Sequence, residues 1–261
     1  MAMTRRDFIL SSGLGMAGTL AASPVRSSCG IRELLSIQNP HDPRSAKNYI
    51  QDGLISICDG IENVGWGVHD KNASRWENLV NKNCYATPNS FVNSHGPVFD
   101  STSVVFNKNC YTINAPQSLG IAKYVDILFE ADQANNINSS YLLEMAISGI
   151  TFQAKGQSAL KNGNGYGATL KTTLAKGKIW LFSVDFSTLT ASVPYVNGST
   201  IGYNRSGSFG GLTRNTIGRG YWNDHYFIGK MYCIRIYSRT LSIQEIDYNY
   251  AIDKIRFNIP D

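Results

Sequence analysis

Charge is scarce in this chain: Asp, Glu, Lys and Arg together make up 16% of the 261 residues. Arg5, Arg6 and Arg26 against Asp7, all near the N-terminus, account for two of the five net positive charges, and the remaining Lys and Arg are scattered. Without a basic block, the chain lacks the electrostatic footprint of a nucleic-acid-binding protein. Long apolar runs are also missing. Beyond the first 28 residues nothing approaches the roughly 20 residues of a membrane-spanning helix, which excludes a permanent span of that kind. The five cysteines, Cys29, Cys58, Cys84, Cys110 and Cys233, contain no Cys-x-x-Cys pair. The four histidines, His41, His69, His95 and His225, are far apart. Neither set has the spacing of a zinc site. The Gly-x-Ser-x-Gly nucleophile elbow is absent, and the Gly-rich run Ser206-Gly207-Ser208-Phe209-Gly210-Gly211 has no phosphate-binding Lys-Ser/Thr pair after it.

The N-terminus carries the most specific motif. Thr4-Arg5-Arg6-Asp7-Phe8-Ile9-Leu10 matches the twin-arginine export pattern, and a mild apolar stretch rich in Gly, Ala and Leu follows to Ala22. Residues 1–28 read as a signal peptide, 29–47 as a linker holding Pro40 and Pro43, and 48–261 as one domain. Export to the periplasm or cell surface is expected. Cys29 follows Ser27-Ser28 like a lipidation site, but Arg26 stands where that site wants an apolar residue. An oxidising compartment permits disulfides. Cys84 and Cys110, each between Asn and Tyr, are a possible pair; Cys58 and Cys233 sit in apolar strand patterns and read as core.

What is abundant is Tyr (14), Gly (24) and short alternating runs between polar breakers. The expected strands are 98–106, 110–113, 122–130, 141–147, 151–154, 166–172, 178–186, 192–196 and 227–237. In the seventh, Trp180, Phe182, Val184 and Phe186 share one face. Asn197-Gly198 marks a tight hairpin. One helix is expected, opened by the capping box Ser242-Ile243-Gln244-Glu245 and placing Ile246 and Tyr250 on one face, with Asp253 to Phe257 beginning an exit strand. The pattern is that of an all-β, two-sheet antiparallel sandwich with one short C-terminal helix.

The C-terminal third is more specific. Ile217-Gly218, Gly229-Lys230, the strand Ile234-Arg235-Ile236-Tyr237, and Arg239 with Leu241-Ser242 leading to Glu245 closely resemble the end of laminin-G-like domains of the concanavalin A-like lectin and glucanase superfamily. Tyr195-Val196-Asn197-Gly198 and Trp76-Glu77-Asn78-Leu79 resemble earlier elements of the same family. The resemblance spans about residues 49–259 and implies a jelly roll. That superfamily hosts lectins, hydrolases and adhesion modules, so the fold alone does not name the activity. Relatives that hydrolyse glucans carry Glu-x-Asp-x-x-Glu. Here Glu130-Ala131-Asp132-Gln133-Ala134-Asn135 replaces the last carboxylate with an amide that cannot serve as acid. Arg235, Arg239, Trp76 and Trp180 read as structural.

Binding requires less than catalysis: an aromatic face for the C–H side of a sugar ring, and polar groups for its hydroxyls. Gly65-Trp66-Gly67-Val68-His69-Asp70 and Gly220-Tyr221-Trp222-Asn223-Asp224-His225 both have that composition. The expected ligand is therefore a glycan. The candidate contacts are Trp66, His69, Asp70, Tyr221, Trp222, Asp224 and His225, with no catalytic residue and no required cofactor. Many relatives bind calcium, for which Asp70, Asp100 and Asp224 are candidates. A glycoside hydrolase or lyase, or a protein-binding adhesion module, is the alternative.

Overall fold

The computed structural model describes residues 42–89, 96–132, 140–145, 150–154, 159–162, 167–170, 175–185, 193–197, 199–200, 203–206, 215–219 and 226–260. The expected signal peptide, Cys29 and most of the linker lie outside these residues. Packed structure begins ahead of residue 48: Ser45 caps a 3₁₀ turn over Ala46–Asn48, and Ala46 is fully buried.

The strands, in chain order, are β1 (Leu54–Asp59), β2 (Trp76–Glu77), β3 (Tyr85–Pro88), β4 (Val98–Phe99), β5 (Val104–Asn107), β6 (Tyr111–Ile113), β7 (Tyr124–Ala131), β8 (Ser140–Met145), β9 (Ile150–Ala154), β10 (Ala159–Asn162), β11 (Gly167–Leu170), β12 (Ile179–Asp185), β13 (Val193–Val196), β14 (Ser199–Thr200), β15 (Tyr203–Ser206), β16 (Asn215–Ile217) and β17 (Ile228–Tyr237). They form two antiparallel sheets. The first runs β14-β13-β12-β7-β17-β5-β4, with β1 also pairing to β17; the second runs β15-β11-β10-β9-β8-β16-β6-β3-β2. One helix, α1 (Ile243–Phe257), closes the chain. The fold is thus the expected two-sheet sandwich.

Alternation builds the core. Val125, Ile127, Phe129, Trp180, Phe182, Val184, Ile234 and Ile236 face inward from the first sheet and meet Ala86, Tyr111, Ile113, Leu143, Met145 and Ile217 of the second. Trp76 is fully buried there beside Phe99 and Tyr111, its indole N–H donating to the Asp59 carbonyl at 2.9 Å. The glycines of the C-terminal signature have steric reasons. Gly229 has φ +148°, and a Cβ on it would lie 2.1 Å from the Glu130 carbonyl; Gly218 has φ +84° and packs under Phe106. Asn197, at φ 51°, takes the hairpin position expected of it. All four described cysteines are buried, and no disulfide joins them. Cys58 and Cys233 are core residues, as their strand patterns imply.

Two expectations change. The stretch 98–106 is two strands, because Asp100 accepts the Thr102 and Ser103 amides at 2.9 and 2.7 Å and turns the chain between them. The C-terminal helix is longer than expected: it continues through Asp253 to Phe257 where an exit strand was read. From Lys254 to Phe257 the run alternates charged and apolar residues, which mimics a strand. The charged residues Asp253 and Arg256 are in fact buried, so the inward face follows a helical period.

A second cluster lies between the outer face of the first sheet and α1, built from Tyr49, Leu128, Leu181, Tyr237, Ile246, Ile252 and Phe257 among others. At its centre Arg235 of β17 is 1% exposed. Its Nε donates to Asp126 at 3.1 Å, and its Nη1 and Nη2 donate to Asp253 at 2.6 and 2.8 Å. The Tyr49 ring stacks on the guanidinium at 4.3 Å and its hydroxyl donates to Asp253 at 2.6 Å. Arg239 forks onto Glu245 at 3.0 and 2.6 Å, and Glu245 completes the capping box with Ser242.

Two predictions follow from these contacts. Arg235→Ala strands two buried carboxylates and should cost about 3–5 kcal/mol of unfolding free energy in urea titration. The Arg239 guanidinium holds the Glu245 carboxyl down from an ordinary 4.5 to about 2. A carboxyl depressed on folding contributes stability that is fully present above pH 4.5 and lost as pH falls toward 2. Far-ultraviolet circular dichroism should therefore show an acid transition across that window that is reduced in Glu245→Gln.

Candidate functional site

The loop from Gly60 to Asp70 leaves the end of β1 and is fixed from beneath. Asp59 Oδ1 accepts the amides of Ile61 and Glu62, both at 2.9 Å. Glu62 is buried; its Oε1 accepts the Ala46 amide at 2.8 Å and its Oε2 accepts the Gly67 amide at 2.9 Å. Asn63, fully buried, grips Asp70 twice: its Nδ2 donates to the Asp70 carbonyl at 2.7 Å and its Oδ1 accepts the Asp70 amide at 2.8 Å. Arg256 of α1 reaches the same carboxylates, with Nη2 at 2.7 Å from Asp59 and Nη1 at 3.3 Å from Glu62. Burial pushes the Asp59 carboxyl up, and Arg256 opposes that shift.

On this base the loop presents its three candidate contacts. His69 and Asp70 are exposed. The His69 Nδ1 lies 3.0 Å from the Ile61 carbonyl, a contact that restrains the exposed ring. Asp70 Oδ1 accepts the Asn72 amide at 2.8 Å. Trp66 is not the freely exposed platform that its loop position implied. It is half-buried against the second cluster, with the Lys47 ammonium 6.0 Å above its ring. Tyr221, Trp222, Asp224 and His225 lie outside the described residues, so their position relative to this loop is not described.

The second sheet carries a polar outer face that the sequence reading passed over. Leu143 and Met145 face the core, so Glu144 between them faces out. The cross-strand register aligns Thr87, Thr112, Thr216 and Glu144 in one row over β3, β6, β16 and β8. Asn89 Nδ2 donates to the Thr112 hydroxyl at 2.9 Å and Asn114 Nδ2 to the Thr87 hydroxyl at 2.8 Å. Glu144 is fully buried and Thr216 nearly so, its hydroxyl donating to the Arg219 carbonyl at 2.6 Å. The available signal was a single polar residue between apolar ones in Leu143-Glu144-Met145 and Tyr111-Thr112-Ile113. At the edge, Arg75 stacks on Tyr85 at 4.4 Å and pairs with Glu77. The Glu77 amide donates to the Asn63 carbonyl at 3.0 Å, which ties the 60–70 loop to this edge.

The remaining candidates are engaged elsewhere. Glu130 accepts the Tyr232 hydroxyl at 2.8 Å, and Asp132 pairs with Lys176 at 3.0 Å on the surface. Asp100 pairs with Lys230 at 3.2 Å in addition to its two backbone amides. Burial raises its carboxyl, but those donors together outweigh burial and hold it below the ordinary range. Among the described residues no three His, Cys, Asp or Glu side chains gather.

No protein-family model matches the chain, and no curated protein is significantly similar to it. Solved structures share its fold. Trypanosoma rangeli sialidase superposes with a TM-score of 0.55 at 13% identity, covering 88% of this chain and 38% of the sialidase. The same enzyme in complex with 2,3-difluorosialic acid gives 0.56 at 12% identity, covering 88% and 39%. The binding domain of Paraclostridial Mosquitocidal Protein 1 gives 0.50 at 14% identity, covering 76% and 52%. The chain thus spans under two-fifths of the sialidase's length.

The loop's dependence on Asn63 is directly measurable. Asn63→Ala removes both bonds to Asp70 and should cost about 1–3 kcal/mol. Hydrogen exchange at the Asp70 amide should rise well above that of the strand amides of β7, which are not coupled to it.

Proposed function

We propose that this chain is a non-catalytic glycan-binding module and that the 65–70 loop contacts the sugar. The supporting observation is the construction of that loop. An indole edge, an imidazole and a carboxylate share one surface segment whose backbone is held by the buried side chains of Glu62 and Asn63, so little loop entropy remains to be lost on binding. Its chemistry suits a sugar, with an apolar ring flanked by groups that donate to and accept from hydroxyls. The polar face of the second sheet adjoins it through Glu77, and offers Tyr85 and Arg75 to further residues of an extended glycan. The sialidase complex adds the precedent of a glycan-acting protein that contains this fold. The absence of a third carboxylate in Glu130-Ala131-Asp132-Gln133-Ala134-Asn135 favours binding over hydrolysis. Export by the N-terminal twin-arginine segment is part of the same reading, and places the module where polysaccharides are met.

A glycan array and calorimetric titration test the assignment. His69→Ala should abolish or weaken retention at least tenfold with an unchanged melting temperature, because the ring is exposed. Trp66→Ala should weaken it as much and also lower stability by about 1–2 kcal/mol, the share of an indole already packed. Unaltered binding in both variants would remove the loop from the site. Reducing-sugar release by the wild-type protein would replace the module with an enzyme.

A further inference from the structure

Arg256 stands at the far end of the chain from Trp66, yet its ion pairs lead to both segments that flank the indole. The side chain of Arg256 is fully buried, and it joins three segments. Nη2 holds Asp59, at the root of the loop, at 2.7 Å. Nη1 holds Glu62 within the loop at 3.3 Å and also donates to the Arg44 carbonyl in the N-terminal segment. From Glu62 two paths lead to the indole. One oxygen takes the amide of Gly67, the residue that follows Trp66. The other takes the amide of Ala46, beside Lys47, whose ammonium lies over the Trp66 ring. Arg256 is itself set by the helix and by aromatic rings, with its guanidinium 5.3 Å from the Tyr49 ring and 5.5 Å from that of Phe257.

We propose that Arg256 is a positioning residue for the binding loop, so that the docking of α1 and the pose of Trp66 are one coupled equilibrium. This rests on the glycan-binding reading for its functional consequence, but the coupling is a property of the protein without ligand. The physical reason is the cost of the alternative. Asp59 and Glu62 are buried, and the guanidinium between them is the cation that offsets the cost of burying two carboxyl groups. Withdrawing it leaves both carboxyl groups buried without their cation and favours their movement toward water, and the Gly67 and Ala46 amides then lose their acceptor together. Coupling of this kind is reciprocal: whatever fixes Trp66 also holds the end of the helix. Lysine supplies the charge but not the fork that reaches Asp59, Glu62 and the Arg44 carbonyl at once, so Arg256→Lys should restore only part of the effect.

The test uses the protein labelled with 5-fluorotryptophan, whose Trp66 signal is identified by its loss in Trp66→Phe. In Arg256→Gln the Trp66 signal should shift and broaden while that of Trp180, which touches neither Asp59 nor Glu62, stays in place, and Arg256→Lys should fall between. Trypsin cleavage after Lys71 should accelerate about tenfold in Arg256→Gln, a change of one decade in the loop-opening equilibrium. If Arg256→Gln fails to fold, Glu62→Gln keeps the packing volume and should move the same Trp66 signal. A lowered melting temperature with an unmoved Trp66 signal overturns the proposal, because it makes Arg256 a general support only. Affinity for an array glycan retained by the wild type should fall with the same rank order, wild type above Arg256→Lys above Arg256→Gln. If the wild type retains no glycan, the binding reading fails while the fluorine signals still decide the coupling.

Discussion

The fold depends on a charge that has been taken out of water. Arg235 lies between the first sheet and the closing helix with two carboxylates, one from each side, and a tyrosine ring against its plane. An isolated guanidinium there would be strongly unfavourable, and so would either aspartate alone. The three are tolerable only in one arrangement, which fixes the helix in both rotation and height. An apolar interface of the same size would allow sliding; fork-to-carboxylate geometry does not. Burial and its partners act on Arg235 in opposite directions, and the neighbouring acids prevail, so it stays charged.

The same device recurs at the root of the 60–70 loop. Arg256 lies on the helix that carries Asp253, and it gathers Asp59 and Glu62 as Arg235 gathers Asp126 and Asp253. The first cage orients the helix, and the second uses the oriented helix to hold a loop. This division explains why so few charged residues suffice. Many of those present near the helix are structural, and the surface of the 65–70 loop is left to an indole, an imidazole and one carboxylate. The polar outer face of the second sheet is built differently. Its hydroxyls and amides come from strand alternation and register rather than from buried ion pairs.

Much of this was legible in the sequence, for identifiable reasons. Period-two alternation gave the strands from Tyr124, Ile179 and Ile228 onward, because their inward residues meet a continuous apolar layer. The Asn197-Gly198 hairpin and the Ser242 capping box are local, the first set by a positive φ that few residues adopt and the second by side-chain hydrogen bonds within one turn. The errors arose where long-range pairing overrides local pattern. Asp253-Lys254-Ile255-Arg256-Phe257 looks like a strand to any rule that sends charges outward. Trp66 looks exposed because it fits no alternating run, yet it rests on a cluster assembled from residues near both ends of the domain. Glu144 drew no notice because one acid among leucines says nothing of which residues lie beside it.

The sequence by itself determined the sandwich, the position of its closing helix and the composition of the loops, since these follow from periodicity and short-range hydrogen bonding. Only the tertiary structure decided which charges are buried, which loop is held still, and which hydroxyls form a row. Those outcomes require partners separated by up to about two hundred residues, such as Tyr49 with Asp253 and Arg256 with Glu62. No local preference encodes such a meeting, because its free energy appears only once the sheets and helix have excluded water from the space between them.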